Sequence, residues 1–171
     1  WGGGAVSQLY GTGAEDDPEL GFTYYGGFGD VAGRWRYGVD FGVESDTYDP
    51  NDLGFLYNNN SQWYSASVEY NTYEPWGPFL WTWSSLSVDY GRLYNPNVFT
   101  DFGLFMNAGA TFRNFLTSGG WVAYWPVESY DYFEPSVQGR YFTNNPGIAW
   151  GGFISSDYSK RFALDLNFDI G

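Results

Sequence analysis

The chain has 171 residues and a formal charge of −13, an acidity that argues against nucleic acid as a partner, because holding a phosphate backbone needs clustered Lys and Arg. The same charge argues against peripheral attraction to anionic lipid. The absence of cysteine and histidine excludes disulfides and thiolate metal sites and removes the commonest general base.

With 24 glycines and 23% aromatic residues, the chain suits pleated sheet and disfavours helix. No run approaches the length of apolar sequence that a transmembrane helix needs. Residues 1–171 read as a single β-rich segment, with no linker and no internal repeat.

Strands are predicted at 4–12, 20–29, 32–45, 62–73, 79–93, 98–113, 120–128, 136–143, 147–155 and 161–170. The acidic turn Ala14-Glu15-Asp16-Asp17-Pro18 separates the first two. The third is the most explicit. Trp35, Tyr37, Val39, Phe41 and Val43 alternate with Arg36, Gly38, Asp40, Gly42 and Glu44, which gives one aromatic face and one charged or glycine face. Tyr48-Asp49-Pro50-Asn51-Asp52 and Asn58-Asn59-Asn60 mark a long connection to the fourth strand. There Tyr64, Ala66, Val68 and Tyr70 alternate with Ser65, Ser67 and Glu69. Phe79-Leu80-Trp81-Thr82-Trp83 opens the fifth strand and is apolar on both faces. The last strand alternates again, with Phe162, Leu164, Leu166, Phe168 and Ile170 on one side.

The expected fold is therefore all-β, an antiparallel meander of about ten strands. Several of these strands are longer than is usual in a small sandwich. Alternating stretches of about ten residues between turns are the signature of a transmembrane β-barrel. The alternative for the same pattern is a cross-β fibril, in which copies of the segment stack in register.

Two further stretches carry a resemblance. Asp49-Pro50-Asn51-Asp52-Leu53-Gly54-Phe55-Leu56, preceded by Arg34-Trp35-Arg36-Tyr37-Gly38-Val39-Asp40-Phe41, is similar to a segment of Bacteroidota-type outer-membrane proteins. In these uncharacterised proteins an N-terminal family-9-like carbohydrate-binding domain precedes a large β-barrel. Ser129-Tyr130-Asp131 and Gly151-Gly152-Phe153 resemble them more loosely. The resemblance implies an internal segment of an outer-membrane barrel, located in the bacterial outer membrane or at the cell surface. It brings no catalytic residues. Two departures, the missing carbohydrate-binding domain and the non-aromatic end Asp169-Ile170-Gly171, point to a piece of a larger barrel.

Candidate sites are few, and no enzymatic role is expected. Asp46, Asp49, Asn51 and Asp52 are the candidate calcium ligands, because Ca²⁺ takes six to eight oxygens and carboxylates with Asn supply them. They lack EF-hand spacing, and Asx-turn chemistry explains the same residues. Calcium is thus the only cofactor considered. Glu15-Asp16-Asp17, the pairs Glu128/Asp131 and Asp165/Asp169, and the arginines Arg34, Arg36, Arg92, Arg113 and Arg140 fit solvated loops or a polar barrel lumen. Trp63, Tyr64, Trp76, Trp81, Trp83, Trp121, Tyr124, Trp125, Tyr130 and Tyr132 are candidates for stacking on sugars, though packing and interface belts account for them better, since aromatics occur throughout the chain and not in one patch. The expected partners are a lipid bilayer or identical chains, with carbohydrate third. The expected role is a passive one: a barrel wall that forms a pore, supports transport or anchors a surface. A structural filament is the alternative, and a carbohydrate-binding β-sandwich is the third reading.

Overall fold

Period-two patterning puts most of the described residues into strands. The computed structural model describes residues 1–9, 19–48, 58–135, 137 and 139–171. Among them lie β1 (Gly2–Leu9), β2 (Glu19–Asp30), β3 (Trp35–Glu44), β4 (Ser61–Thr72), β5 (Phe79–Leu93) and β6 (Phe99–Phe112). Then follow β7 (Thr117–Trp125), β8 (Ser129–Asp131), β9 (Phe142–Asn144), β10 (Gly147–Ser155) and β11 (Asp165–Ile170), and no helix. Nine strands form one sheet in the order β1-β2-β3-β4-β5-β6-β7-β10-β11, and β8 and β9 pair as a separate hairpin. Every ladder is antiparallel. The chain is the expected all-β meander. Its main sheet is open, with β1 and β11 as the two edges and no ladder joining them.

Most expected boundaries lie within a few residues, and 147–155 coincides with β10. The strand expected at 120–128 stops at Trp125, because Pro126 has no N–H to give a ladder. The strand expected at 136–143 is corrected: among the described residues of that stretch, the strand is Phe142–Asn144. The unexpected strand is β8, which ends where Asp131 Oδ1 accepts hydrogen bonds from the amides of Phe133 (2.8 Å) and Glu134 (3.2 Å) and bends the backbone. Residues 10–12 of the first expected strand lie outside the described residues.

The registers assign each side chain to a face. One face carries the row Phe41–Tyr64–Tyr90–Phe102, then Val39–Ala66–Val88–Leu104–Tyr124–Ile148, then Tyr37–Val68–Leu86–Met106–Val122–Trp150–Ile170. The opposite face carries Asp40–Ser65–Asp89–Gly103 and Arg36–Glu69–Ser85–Asn107–Trp121–Gly151–Asp169.

Exposure runs against the habit of water-soluble proteins. In β3 the apolar residues Trp35, Tyr37, Val39 and Phe41 are 63, 50, 55 and 38% exposed, while Arg36, Gly38 and Asp40 between them are half-buried. Among the described residues the buried apolar side chains are Val43, Leu93 and Ala123. The molecule exposes 11987 Å², where a folded soluble chain of 19.4 kDa exposes roughly 8,500 Å². Among the described residues, no second layer covers the apolar face.

Ser45 is the most deeply buried polar side chain, at 2% exposure, and locks the upper end of the β2–β3 ladder. Its Oγ accepts the Phe22 amide at 2.9 Å, and its own amide donates to the Phe22 carbonyl at 2.9 Å. Ser45→Ala leaves the Phe22 amide without this acceptor. The expected cost is about 1 kcal/mol, read as a lower midpoint of urea unfolding.

Because each strand reverses, successive connections alternate between the two ends of the sheet. Residues 31–34, 73–78, 113–116 and 156–164 make one end. The strand ends that flank 10–18, 45–60, 94–98 and 126–146 lie at the other, so the three long connections of the main sheet apart from 156–164 start and finish there. By sequence, the long-connection end holds nine carboxylates, three each in 10–18, 45–60 and 126–146, against Arg140 alone. The short-turn end holds Arg34, Arg113, Lys160 and Arg161 against Glu74 and Asp157.

Candidate functional site

Two surfaces and one groove carry what this fold can do. The first surface is the uncovered apolar face. Its aromatic residues follow a slanted line. Phe41, Tyr64, Tyr90 and Phe102 share one row. In β2 the aromatic residue on this line is Tyr24, two residues to one side of Gly26, the row partner of Phe41. In β7 it is Tyr124, opposite Leu104 and so two residues to the other side, and in β10 it is Trp150, four residues to that side. The line therefore drifts by about one residue per strand, or roughly 3.3 Å along the strands for every 4.8 Å across them, a slant of about 35°. Barrel strands tilt by about 35–45° relative to the barrel axis, so a belt in the plane of a bilayer would cross them in this way. Inside the line lie the aliphatic residues Val39, Ala66, Val88, Leu104, Val68, Leu86 and Met106, and Trp35 and Tyr70 close the far side with ring centroids 4.6 Å apart.

The second surface is the polar face. Here aromatic rings lie over glycines of the neighbouring strand. A Cβ on Gly42 would overlap the Trp63 indole, one on Gly109 the Trp83 indole, and one on Gly119 would lie 2.9 Å from the Phe153 ring. Trp121 covers Gly151 and donates its Nε1–H to Asp169 Oδ1 at 3.2 Å. Asn107 Nδ2 donates to Ser85 Oγ at 2.6 Å.

The candidate sugar-stacking aromatics do not form one platform. Trp63, Trp83, Trp121 and Trp125 belong to the polar face, and Tyr64 and Tyr124 to the apolar face. Trp76 packs on Phe79 at a turn, and Tyr130 and Tyr132 pack on Tyr141.

The arginines are spread as well. Arg34 pairs with Glu74 at 3.1 Å across the short-turn end, with both side chains exposed. Such a pair adds little. Arg36 faces Glu69 across the ladder but donates to the Tyr73 hydroxyl at 2.6 Å, not to Asp40 or Glu44. Arg92 donates to the Asn97 carbonyl at 2.6 Å and Arg113 to the Gly77 carbonyl at 2.8 Å. Arg140 is exposed.

Of the calcium candidates, Asp49, Asn51 and Asp52 lie outside the described residues. Asp46 ties two connections of the long end together. Its Oδ2 accepts from Asn95 Nδ2 at 2.7 Å, and its carbonyl accepts from Asn59 Nδ2 at 2.9 Å. Among the described residues no three carboxylates, histidines or cysteines gather as a metal site. Glu15-Asp16-Asp17 also lies outside the described residues. Asp165 and Asp169 line the polar face of the edge strand β11.

Two groups away from the main sheet have shifted ionisation. Glu128 accepts the Tyr130 hydroxyl at 3.2 Å, and this hydrogen bond, with burial and the carboxylate's charge, raises the phenol above its ordinary value. Asp157 accepts from the Ser159 hydroxyl (2.7 Å) and the Ser159 amide (2.9 Å), which holds its carboxyl below the usual range. A carboxyl lowered by folding stabilises its turn above the unfolded value, and that contribution is lost as pH falls through the folded value. Protection of the Ser159 amide from hydrogen exchange is therefore expected to persist through the ordinary Asp range and to vanish only at lower pH. Loss of protection at the ordinary Asp value would contradict this.

The groove opens at the long-connection end. The row Gly42–Trp63–Gly91–Asp101 runs across four strands of the polar face, and the Asp101 carboxylate lies where a Cβ on Gly91 would be. Trp63, Gly91 and Asp101, together with Ser129, Tyr130, Asp131, Phe133 and Asn144, surround about 370 Å³. Sequence reasoning missed Gly42, Gly91 and Asp101 as partners of Trp63, because only the register brings them together.

A family model described as a domain of unknown function (DUF5916) matches residues 1–171. No curated protein and no solved structure matches the chain.

Proposed function

The chain belongs to the DUF5916 family, and we propose that it is a stretch of the wall of a bacterial outer-membrane β-barrel, with its apolar face on lipid and its polar face on water. The observation that carries this reading is the inverted exposure of β3 and its neighbours, where the apolar side chains are the open ones. In water such a face would cost the burial it forgoes, about 25 cal/mol for each Å². In a bilayer it needs no cover.

Dimensions support the same reading. A strand of 10 residues such as β3 rises roughly 34 Å, and at a slant of 35° spans about 28 Å, close to the apolar band of about 25 Å on such barrels. The contrast between ends supports an orientation. Outer-membrane barrels carry short turns on the periplasmic side and longer loops outside, so the acidic end of residues 10–18, 45–60 and 126–146 faces outward. The two open edges, β1 and β11, pair with further strands of the same wall, since no backbone N–H or C=O is left unpaired in hydrocarbon. The role is passive: a wall, a pore or an anchor.

One observation favours a second reading. Every residue of β11 is exposed, and an open edge of this kind recruits strands from other copies. A fibril would then form.

Flotation separates the readings. Refolded in the presence of phosphatidylcholine vesicles, the protein is expected to rise with the lipid through a sucrose gradient and to migrate differently on a gel with and without boiling. Recovery as a monomer in plain buffer, at the bottom of the gradient, would overturn the membrane reading. A pellet with a meridional reflection near 4.7–4.8 Å would select the fibril.

A further inference from the structure

We propose that the groove along Trp63, Gly91 and Asp101 binds a neutral oligosaccharide. The inference does not depend on what covers the apolar face. The Trp63 indole covers Gly42, yet 41% of Trp63 remains exposed. The indole thus presents an open plate beside the buried Gly91 of the neighbouring strand. The Asp101 carboxylate covers Gly91, and its Oδ2 also accepts the Thr100 hydroxyl at 3.2 Å. Tyr130, Asp131 and Asn144 complete the rim from the β8–β9 hairpin. Asp131 is held in place by the Phe133 and Glu134 amides, and Tyr130 packs edge-on to Phe99 with ring centroids 6.2 Å apart.

The chemistry of the lining selects the ligand. A volume of about 370 Å³ is at the small end of ligand clefts. Two carboxylates repel a phosphate or another anion. A bare metal ion finds no set of three ligating groups among the described residues, and the Arg92 guanidinium belongs to the same lining. A purely apolar ligand would strip water from Asp101, Asp131 and Asn144 without replacing their hydrogen bonds. A sugar ring has an apolar face for an indole and a rim of hydroxyls that donate to carboxylates in strong, charge-assisted bonds. The groove lies at the acidic, long-connection end.

The test is calorimetric titration with cellohexaose, maltohexaose, xylohexaose and mannohexaose, in a detergent without a sugar head group, or in plain buffer if the protein proves soluble there. At least one of the four is expected to give saturable heat and a matching change in Trp fluorescence. Trp63→Ala is expected to weaken that binding by about tenfold or more, as loss of an aromatic anchor does. Asp101→Asn is expected to weaken it by several-fold, and Trp121→Ala, on the same face but outside the groove, to leave it within about twofold. No saturable heat from any of the four, or undiminished binding by both Trp63→Ala and Asp101→Asn, would overturn the proposal. Should Trp63→Ala fail to fold, Asp101→Asn decides alone. Flotation reads the membrane role separately, so failure of one does not imply failure of the other.

Discussion

Leu86→Arg is expected to destabilise the protein in phosphatidylcholine vesicles by about 2–4 kcal/mol, the cost of a guanidinium on the lipid side of a barrel near the bilayer midplane. Leu86 sits in the middle of β5, flanked in its row by Val68 and Met106, and is 42% exposed. In a water-soluble protein an exposed position of this kind tolerates arginine within about 0.5 kcal/mol. The environment of the face, not the local contacts, therefore sets the size of the effect. Ser87→Arg supplies the control. It is the next residue, on the polar face beside Ser67, and is expected to cost less than about 1 kcal/mol because its charge stays in water. Equal effects of the two substitutions, measured by urea unfolding from vesicles, would contradict the assignment of faces.

Gly109→Ala is expected to cost about 2 kcal/mol, an overpacking penalty, since the new methyl would enter the space of the Trp83 indole. Trp83 cannot simply swing away. Its ring lies 6.3 Å from Phe153 at an interplanar angle of 21°, and 4.8 Å from Trp81. A glycine within a strand is weak by itself, and an aromatic ring laid over it restores contact. The two residues should therefore couple. In a Trp83→Ala background the cost of Gly109→Ala is expected to fall close to zero, giving an interaction of about 1–3 kcal/mol in the double-mutant cycle. The same cost in both backgrounds would show that the ring does not hold the glycine.

Much of the fold was legible because it rests on local periodicity. Trp35 to Glu44 reads as one strand with two faces, and its residues occupy those faces. What periodicity cannot give is register. Phe79-Leu80-Trp81-Thr82-Trp83 reads as apolar on both sides, and the ladder explains this with a register shift between Phe79 and Trp81. Such a bulge changes which face the following residues occupy. Likewise Arg36 reads as sharing a face with Asp40 and Glu44, as it does, yet its hydrogen-bond partner, the Tyr73 hydroxyl, lies past the end of the neighbouring strand. The segment before β9 misled for a different reason. A strand is expected from 136 on, while the bend is made earlier, by Asp131, which leaves Ser129–Asp131 as a strand too short to show alternation. The Trp63 groove was illegible for the same reason as the bulge. Gly42, Gly91 and Asp101 are distant in sequence and meet Trp63 only through pairing.

Accessibility scanning along β4 tests the central claim most directly. The chain contains no cysteine, so each position from Ser61 to Thr72 accepts a single cysteine and a nitroxide label in vesicles. Collisions with oxygen, which concentrates in lipid, are predicted to peak at Tyr64→Cys, Ala66→Cys, Val68→Cys and Tyr70→Cys. Collisions with a water-soluble nickel chelate are predicted to peak at Ser65→Cys, Ser67→Cys and Glu69→Cys. Opposite phases, or high nickel accessibility at every position, would mean that the aromatic side of this sheet does not face lipid.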